Sequence, residues 1–576
     1  MGVRGGAGGR SVVAGRGEPG ARMAWDRTGI AAWLFPWILP RQFTPPSLAI
    51  HPALGIPARL CNAFKMLAKV YSAAVLGIDA YEVEIEVNAA GGLPAIIVVG
   101  LPDTAVKESK DRVTTAVGNS GFFWAHGRTT INLAPADVKK EGPSFDLPIA
   151  LGMIAVALNQ IPEQASDFVF VGELALDGGV RPVKGVLPIA LEARRCGRRA
   201  VVVPEANARE AAMVSGIEVY GVRNLRQAWQ FLIGEQELQP VREDLDQFFA
   251  AHHHYDLDFS DVKGQPSVKR ALEVAAAGSH NVLMIGPPGS GKSMLAKRVA
   301  TIMPPMTLEE AIETTKIHSI CGLLDGKNAF VAVRPFRSPH HTISDVGLLG
   351  GSANITPGEV SVAHNGVLFL DELPEFKRST LEVMRQPLED GKVTVTRAAG
   401  TMTFPARSML VAAMNPCPCG YHGDLKRDCR CSPNQIQRYR QRISGPLLDR
   451  IDLHVEVGSV GFDELSGGGD GESSDTIRAR VVHAREVQTA RYRGARGVRT
   501  NAHIGTKELR AHCALDPQGM ELLRMAMTDL GLSARAHDRI LKVARTIADL
   551  AGSERIEPAH VLEAIQYRTL DRNLWV

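Results

Sequence analysis

Apolar and charged positions alternate through Tyr81–Ala90, YEVEIEVNAA, as in a strand with one face buried. LPAIIVVGLP (93–102), DFVFVGELAL (167–176) and RAVVVP (199–204) read as short buried strands. Helical spacing covers 103–118 and 147–157, and another helix opens near Asn207. Together these predict an α/β domain over 66–233. The polar stretch 234–256 reads as a linker, with a solvated His run at 252–254. A second α/β region covers 257–464. A flexible Gly/Ser loop and an Arg-rich helix follow over 465–500, and three amphipathic helices with Asp, Ser or Glu-Pro starts fill 501–576. Residues 1–65 are Gly/Arg-rich and then broken by proline, and they read as an unstructured extension or a mis-assigned start before Met66.

The sharpest chemical signal is local. The buried strand 281–285 runs into Gly286-Pro287-Pro288-Gly289-Ser290-Gly291-Lys292-Ser293, and a helix continues from there. This is G-x-x-x-x-G-K-[ST] in a strand–loop–helix context. Glycines let backbone N–H groups wrap phosphates, Lys292 reaches the β- and γ-phosphates, and the Ser293 hydroxyl meets Mg²⁺. Further on, the apolar strand Val367–Leu370 ends in Asp371 and Glu372. Lying beside the phosphate-loop strand, it would put Asp371 near Mg²⁺ and Glu372 near the attacking water as general base. A third strand, 409–415, ends in Asn415, suited to sensing a γ-phosphate. Arg450 and Arg535 lie far along the chain, as a residue entering a neighbouring subunit's site would.

Composition bounds rather than decides. The chain has 576 residues, 45% hydrophobic and 22% charged, with a net charge of +3, so it is no wholly disordered chain and carries no global basic excess. The apolar run Gly29–Leu39 contains Pro36 and falls short of the about 20 residues that span a bilayer. Eight cysteines are too few for a disulfide scaffold, which suits a reducing, cytoplasmic setting. Four of them, Cys417, Cys419, Cys429 and Cys431, crowd together, as either a structural zinc site or reduced thiols.

Beyond the phosphate loop, RPFRSPHHTIS (334–344), PGEVSVAHNGVLFLDELPEF (357–376), RISGPLLDRIDLHVEV (442–457) and INLAPADVKKEGPSFDLPIAL (131–151) are distinctive. From Met66 onward the chain resembles the magnesium-chelatase-like AAA+ ATPases of the YifB/ComM group. The resemblance implies a Lon-protease-like (ribosomal-protein-like) α/β domain, a central AAA+ P-loop domain and a C-terminal helical lid. It further implies ATP and Mg²⁺ as cofactors, Asn415 as sensor, Arg450 as trans-acting finger, Arg535 as second sensor, and a homo-hexameric ring. Members of this group are implicated in DNA branch migration during natural transformation, which implies DNA and recombination proteins as partners and no membrane.

Several alternatives stay open on the residues. Lys392 and Arg397 lie on a hairpin, 392–405, that either faces DNA in a pore or is an exposed structural element. The Arg-rich helix, with Arg485, Arg491 and Arg493 foremost, either binds phosphate chains or is a solvated face. Ser144 stands where the Lon serine stands, but the lysine position falls on Ile189, and Lys184 lies five residues too early, so the Ser–Lys dyad lacks its base. The readings are therefore a DNA motor, a chelatase-like protein-remodelling ATPase, an ATP-fuelled protease, or a nucleotide-dependent scaffold.

Overall fold

The computed structural model describes residues 66–570 apart from 125–126, 245–254, 325–328, 352–354, 398–399, 425–426, 462–470 and 496. The expected extension 1–65, the His252–His254 run and most of the Gly/Ser loop lie outside the described residues.

The first region is built on seven strands: β1 (Met66–Leu76), β2 (Asp79–Ala90), β3 (Ala95–Val99), β4 (Arg128–Ala134), β5 (Phe168–Phe170), β8 (Ala200–Pro204) and β9 (Glu218–Val222). A small ribbon, β6 (Glu173–Leu174) and β7 (Val180–Arg181), stands apart. The sheet order is β3-β4-β2-β1-β5-β8-β9, antiparallel around β1 and β2 and parallel at both flanks. The β2 alternation does what its pattern predicts, since Val83, Ile85 and Val87 point inward and are fully buried. Against them lies the helix Asp146–Ala157, apolar on all sides and buried along nearly its whole length. Gly152 permits that approach, because a Cβ there would lie 2.6 Å from Val87 Cγ2. The other face carries Val186–Arg195, whose apolar cluster also takes in Met306, Ala311 and Phe330 from the second region.

The second region is a five-stranded parallel sheet: β10 (Val282–Ile285), β11 (Phe336–Arg337), β12 (Val367–Leu370), β15 (Met409–Met414) and β16 (Leu453–Glu456). Strands β13 (Lys392–Arg397) and β14 (Gly400–Pro405) form the expected hairpin. The sheet order is β11-β12-β15-β10-β16. The acid-bearing strand is therefore not beside the phosphate-loop strand as expected; β15, six buried residues with ladders on both edges, lies between them. A strand buried on both faces suits the centre of a parallel sheet.

The C-terminal helices Ser474–Arg491, Thr506–His512, Pro517–Asp529, Ala534–Leu550 and Pro558–Gln566 share one core with β10, the helix Pro266–Gly278 and the helix Lys292–Ile302. Their anchor is a buried charge cluster. Asp452, just before β16, is buried, takes the Arg539 guanidinium, and accepts from Asn281 N at 3.1 Å. His280 lies between Asp452 (3.4 Å) and Thr546 Oγ1 (2.8 Å). Asn281 and Asp452 open parallel strands, so Ala534–Leu550 is pinned at the end of the sheet opposite the phosphate loop, because a buried carboxylate needs a cation there.

Burial alone would push the Asp452 carboxyl up, but Arg539 and His280 more than reverse this and hold it well below the usual carboxylate range. A depressed folded pKa stabilises above the unfolded value of about 3.9 and is lost as the pH falls through the folded one. Asp452→Asn is expected to cost about 3 kcal/mol at neutral pH, because it strands half of a buried pair. It should also flatten the acid limb of stability against pH, which thermal unfolding from pH 7 to pH 3 would check.

Candidate nucleotide-binding site and neighbouring surfaces

At the end of β10 the chain turns so tightly that a Cβ on Gly286 would lie 2.1 Å from Val457 O, and Gly291 takes a φ of +89° where the helix Lys292–Ile302 begins. The loop amides thus converge at a helix N-terminus, a ready anion site. Lys292 Nζ lies in this hollow and donates to Gly286 O and Pro287 O, both at 2.8 Å, and to Asn415 Oδ1 at 3.3 Å. Burial lowers its pKa and the Asp371 carboxylate partly restores it. Gln265, which sequence reasoning missed, donates to Ser290 O and Gly458 O at 2.9 and 2.8 Å and braces the loop. The only sequence signal was the Pro266 helix start beside it.

Although β15 intervenes, Asp371 reaches the loop: Ser293 Oγ donates to Asp371 Oδ2 at 2.6 Å. A hydroxyl and a carboxylate at this separation fit two adjacent ligands of one Mg²⁺. Glu372 follows with a left-handed φ of +51°, and its side chain is 57% exposed. A non-glycine residue held there signals local strain of the kind found at functional sites. His341 Nδ1 stands 3.3 Å from Glu372 Oε2, its ring packed on His340 and edge-on to Phe376. His341 was not singled out from sequence, although it lies in the distinctive PHHT stretch.

Arg450 and Arg535 are brought together, but not here. Both line a hollow of about 340 Å³ at the opposite end of the sheet, with Arg407, Arg539 and Lys542. Arg450 meets Glu389 and donates to Pro446 O at 2.7 Å. Arg535 is 3.9 Å from Asp449 and its side chain is 61% exposed. Neither joins the phosphate loop of its own chain.

The Arg-rich helix is largely internal structure, which corrects the nucleic-acid candidates on it. Arg485 donates to Ala277 O at 3.0 Å and to Ala276 O at 2.7 Å, capping the end of Pro266–Gly278, and its partial burial pushes its pKa down to about 9. Arg491 forms two bonds, 2.9 and 2.5 Å, with the buried Asp549. Helix C-termini and buried carboxylates claim these side chains because both need a cation. Arg493 is exposed. On the hairpin, Lys392 is exposed, but Arg397 falls on the face of Val393 and Val395 and donates to Gly351 O at 3.0 Å. Period-two alternation therefore keeps the two from sharing one face.

Cys417, Cys419, Cys429 and Cys431 come together with all four sulfurs within 4.8 Å of one another, a set that could hold a metal ion. Ser144 occupies the turn Pro143–Phe145, Ile189 is in the apolar core, and Lys184 packs against Gly322.

A phosphate cradle, an acid pair and a polar strand end on a β12-β15-β10 sheet define an AAA+ P-loop ATPase. The model of the magnesium chelatase subunit ChlI matches residues 258–465; two further models, the ChlI subunit of Mg-chelatase and the ChlI C-terminal region, match 85–207 and 471–568. The chain is 45% identical to the competence protein ComM of Haemophilus influenzae over 515 residues, covering 88% of this chain and 98% of that protein. It is 43% identical to the YifB protein of Escherichia coli over 510 residues, with the same coverage. Lon protease 2 of Bacillus subtilis is 26% identical over 161 residues, 25% of this chain and 29% of that protein. The chain belongs to the YifB/ComM family of magnesium-chelatase-like AAA+ ATPases. Among the described residues no helix is long and apolar enough to cross a membrane.

Arg485→Ala should lower stability by about 2 kcal/mol, as loss of charged hydrogen bonds to helix carbonyls does, and with it the thermal midpoint. Arg493→Ala should leave the midpoint unchanged, and thermal unfolding of the two side by side checks this.

Proposed function

We propose that the protein is an ATP-hydrolysing motor that works on DNA as a homo-hexameric ring, in the manner of a branch-migration helicase used in recombination during natural transformation. The observation that carries the ring is the placement of Arg450 and Arg535. They lie at the end of the sheet away from their own Lys292, Arg535 exposed and Arg450 held by Glu389, so in this reading each site takes its arginines from the next subunit. The DNA assignment draws its support from the 45% identity to a protein named for competence. Lys392 and Arg397 on the hairpin and Arg493 remain the DNA-contacting candidates, while Arg485 and Arg491 are withdrawn from that role.

In this reading the loop amides of 286–293 hold the phosphates, and Lys292 exchanges its carbonyl partners for the β- and γ-phosphate oxygens. Ser293 and Asp371 ligate Mg²⁺, which when bound neutralises phosphate charge. Glu372 turns from His341 to accept the proton of the attacking water, and Asn415 orients that water. Arg450 and Arg535 of the adjoining subunit offset charge on the γ-phosphoryl group. The four-thiol cluster holds one structural zinc ion, for which four thiolates are the fitting donor set.

The domain reading follows: a Lon-like domain at 66–233, the linker at 234–256, the ATPase domain at 257–464, the loop and Arg-rich helix at 465–500, and a helical domain at 501–576. The matched stretches 85–207 and 258–465 fall within the first and the ATPase domains of this division, while the match at 471–568 runs across the boundary at 500. An apolar residue at 189 and Lys184 packed on Gly322 argue against proteolysis. A chelatase-like action on a protein partner is the second reading, favoured by the family models.

ATP turnover should rise with branched DNA and vanish in Lys292→Ala; turnover indifferent to every DNA tested would favour the protein-remodelling reading. Arg450→Ala should bind nucleotide normally yet fail to turn it over. Mixing Arg450→Ala with Lys292→Ala subunits should restore part of the turnover, because some interfaces then pair an intact loop with an intact arginine. No restoration at any ratio would remove the trans assignment.

A further inference from the structure

The cysteine cluster is not remote from the nucleotide site. The chain leaves β15 at Met414, whose carbonyl accepts from Gly286 N at 3.2 Å, and the next residue is Asn415, in contact with Lys292. Cys417 is fully buried two residues later. Gly420, at a φ of +87°, lies so close to the phosphate loop that a Cβ on it would stand 2.6 Å from Pro288 Cδ. On the far side of the cluster, Ser432 caps the helix Pro433–Arg440 by accepting from Gln435 N. That helix returns to the start of the loop: Arg440 Nε donates to Pro416 O at 3.3 Å, and the Tyr439 hydroxyl meets the backbone of Asn415.

The sulfur geometry is that of a metal knuckle. Cys417 Sγ lies 3.3 Å from Cys419 Sγ and 3.6 Å from Cys429 Sγ, and the Cys419–Cys429 pair is also 3.6 Å apart. Sulfurs on a tetrahedron with metal–sulfur bonds of about 2.3 Å are roughly 3.8 Å apart. Apart from Cys417, the described residues of the loop 418–431 include only one other buried position, Gly420, so this segment has little apolar core of its own to fix it. Gly420 is the residue that rests on Pro288.

We propose that metal occupancy of this knuckle positions the nucleotide site: bound zinc holds Gly420 against Pro288 and Asn415 against Lys292, and so sets the affinity for ATP. This rests on the zinc reading above and extends it from a structural ion to a centre that orders the phosphate loop. None of the four cysteines touches substrate; they are positioning residues. Loss of the metal therefore acts on nucleotide binding first, and on the chemical step through Asn415.

The test uses the full chain. Zinc is counted per chain by elemental analysis. The Kd of a fluorescent ATP analogue and the KM and kcat for ATP are then measured before chelation, after chelation and after zinc is restored. The same measurements are made on Cys429→Ser, and on Gly420→Val, which keeps all four thiols but crowds Pro288. Expected are one zinc per chain, a Kd raised about tenfold or more on chelation, as small displacements at a site produce, recovery on adding zinc, and a raised Kd in Gly420→Val with zinc retained. Zinc present but Kd and KM unmoved by its removal would overturn the coupling and leave the zinc reading standing. No zinc in the purified chain would overturn both. An absence of DNA-stimulated turnover would not affect the binding measurement, so the motor reading and this inference fail separately.

Discussion

Parallel pairing of β12, β15 and β10 is the constraint on which the site depends. With Leu370 opposite Ala412, and Ile285 opposite Met414, β12 stops two residues short of the level at which β10 and β15 end, and the residues that follow the three strands are delivered to one rim. The Ser293–Asp371 bond spans the width of the intervening strand only because that register holds. A one-residue slip of β12 would turn its side chains to the other face and take Asp371 from the loop. Wholly apolar strands covered on both faces make such a slip costly, since every position already meets a packed layer.

The opposite rim is organised by charge rather than by backbone amides. Asp452 and Asn281 begin their strands there, and the carboxylate draws Arg539 to it, bringing Ala534–Leu550 and the Arg535 beside it. One sheet thus has an anion-seeking end and a cation-presenting end. Parallel strands of four residues separate them by about 13 Å, too far for a side chain of one rim to serve the other within the same chain.

The phosphate loop was legible because its chemistry is contiguous: glycines, lysine and serine in one run between a strand and a helix. The acid pair and Asn415 were legible as strand ends. Their lateral order was not, since pairing between strands far apart in sequence leaves no local trace in short apolar runs. The arginines misled for a related reason. A run of arginines reads as a basic face, but Arg485 and Arg491 are each spent on a partner remote in sequence, Ala277 and Asp549. Burial of a cation is decided by where a helix end or a carboxylate falls in the fold, and periodicity within its own helix does not report that.

The helix Leu308–Cys321, with apolar contacts from Met306 and Phe330 on either side of it, ties the first region to the ATPase region. Ser319 donates to the buried Glu210 at 2.5 Å and its carbonyl accepts from Gly185, while Lys316 pairs with Asp79. Burial raises the Glu210 pKa, and hydrogen bonds from Ser319, Leu187 and Asn207 oppose that rise, so this joint is polar yet satisfied. The same helix holds Arg334 through Glu310, and Arg334 in turn reaches Asn365, two residues before β12. Polar joints of this kind fix an orientation more firmly than apolar packing, which tolerates sliding. The first region is thereby held in register with the strand that carries Asp371, and any displacement of that helix is shared by both.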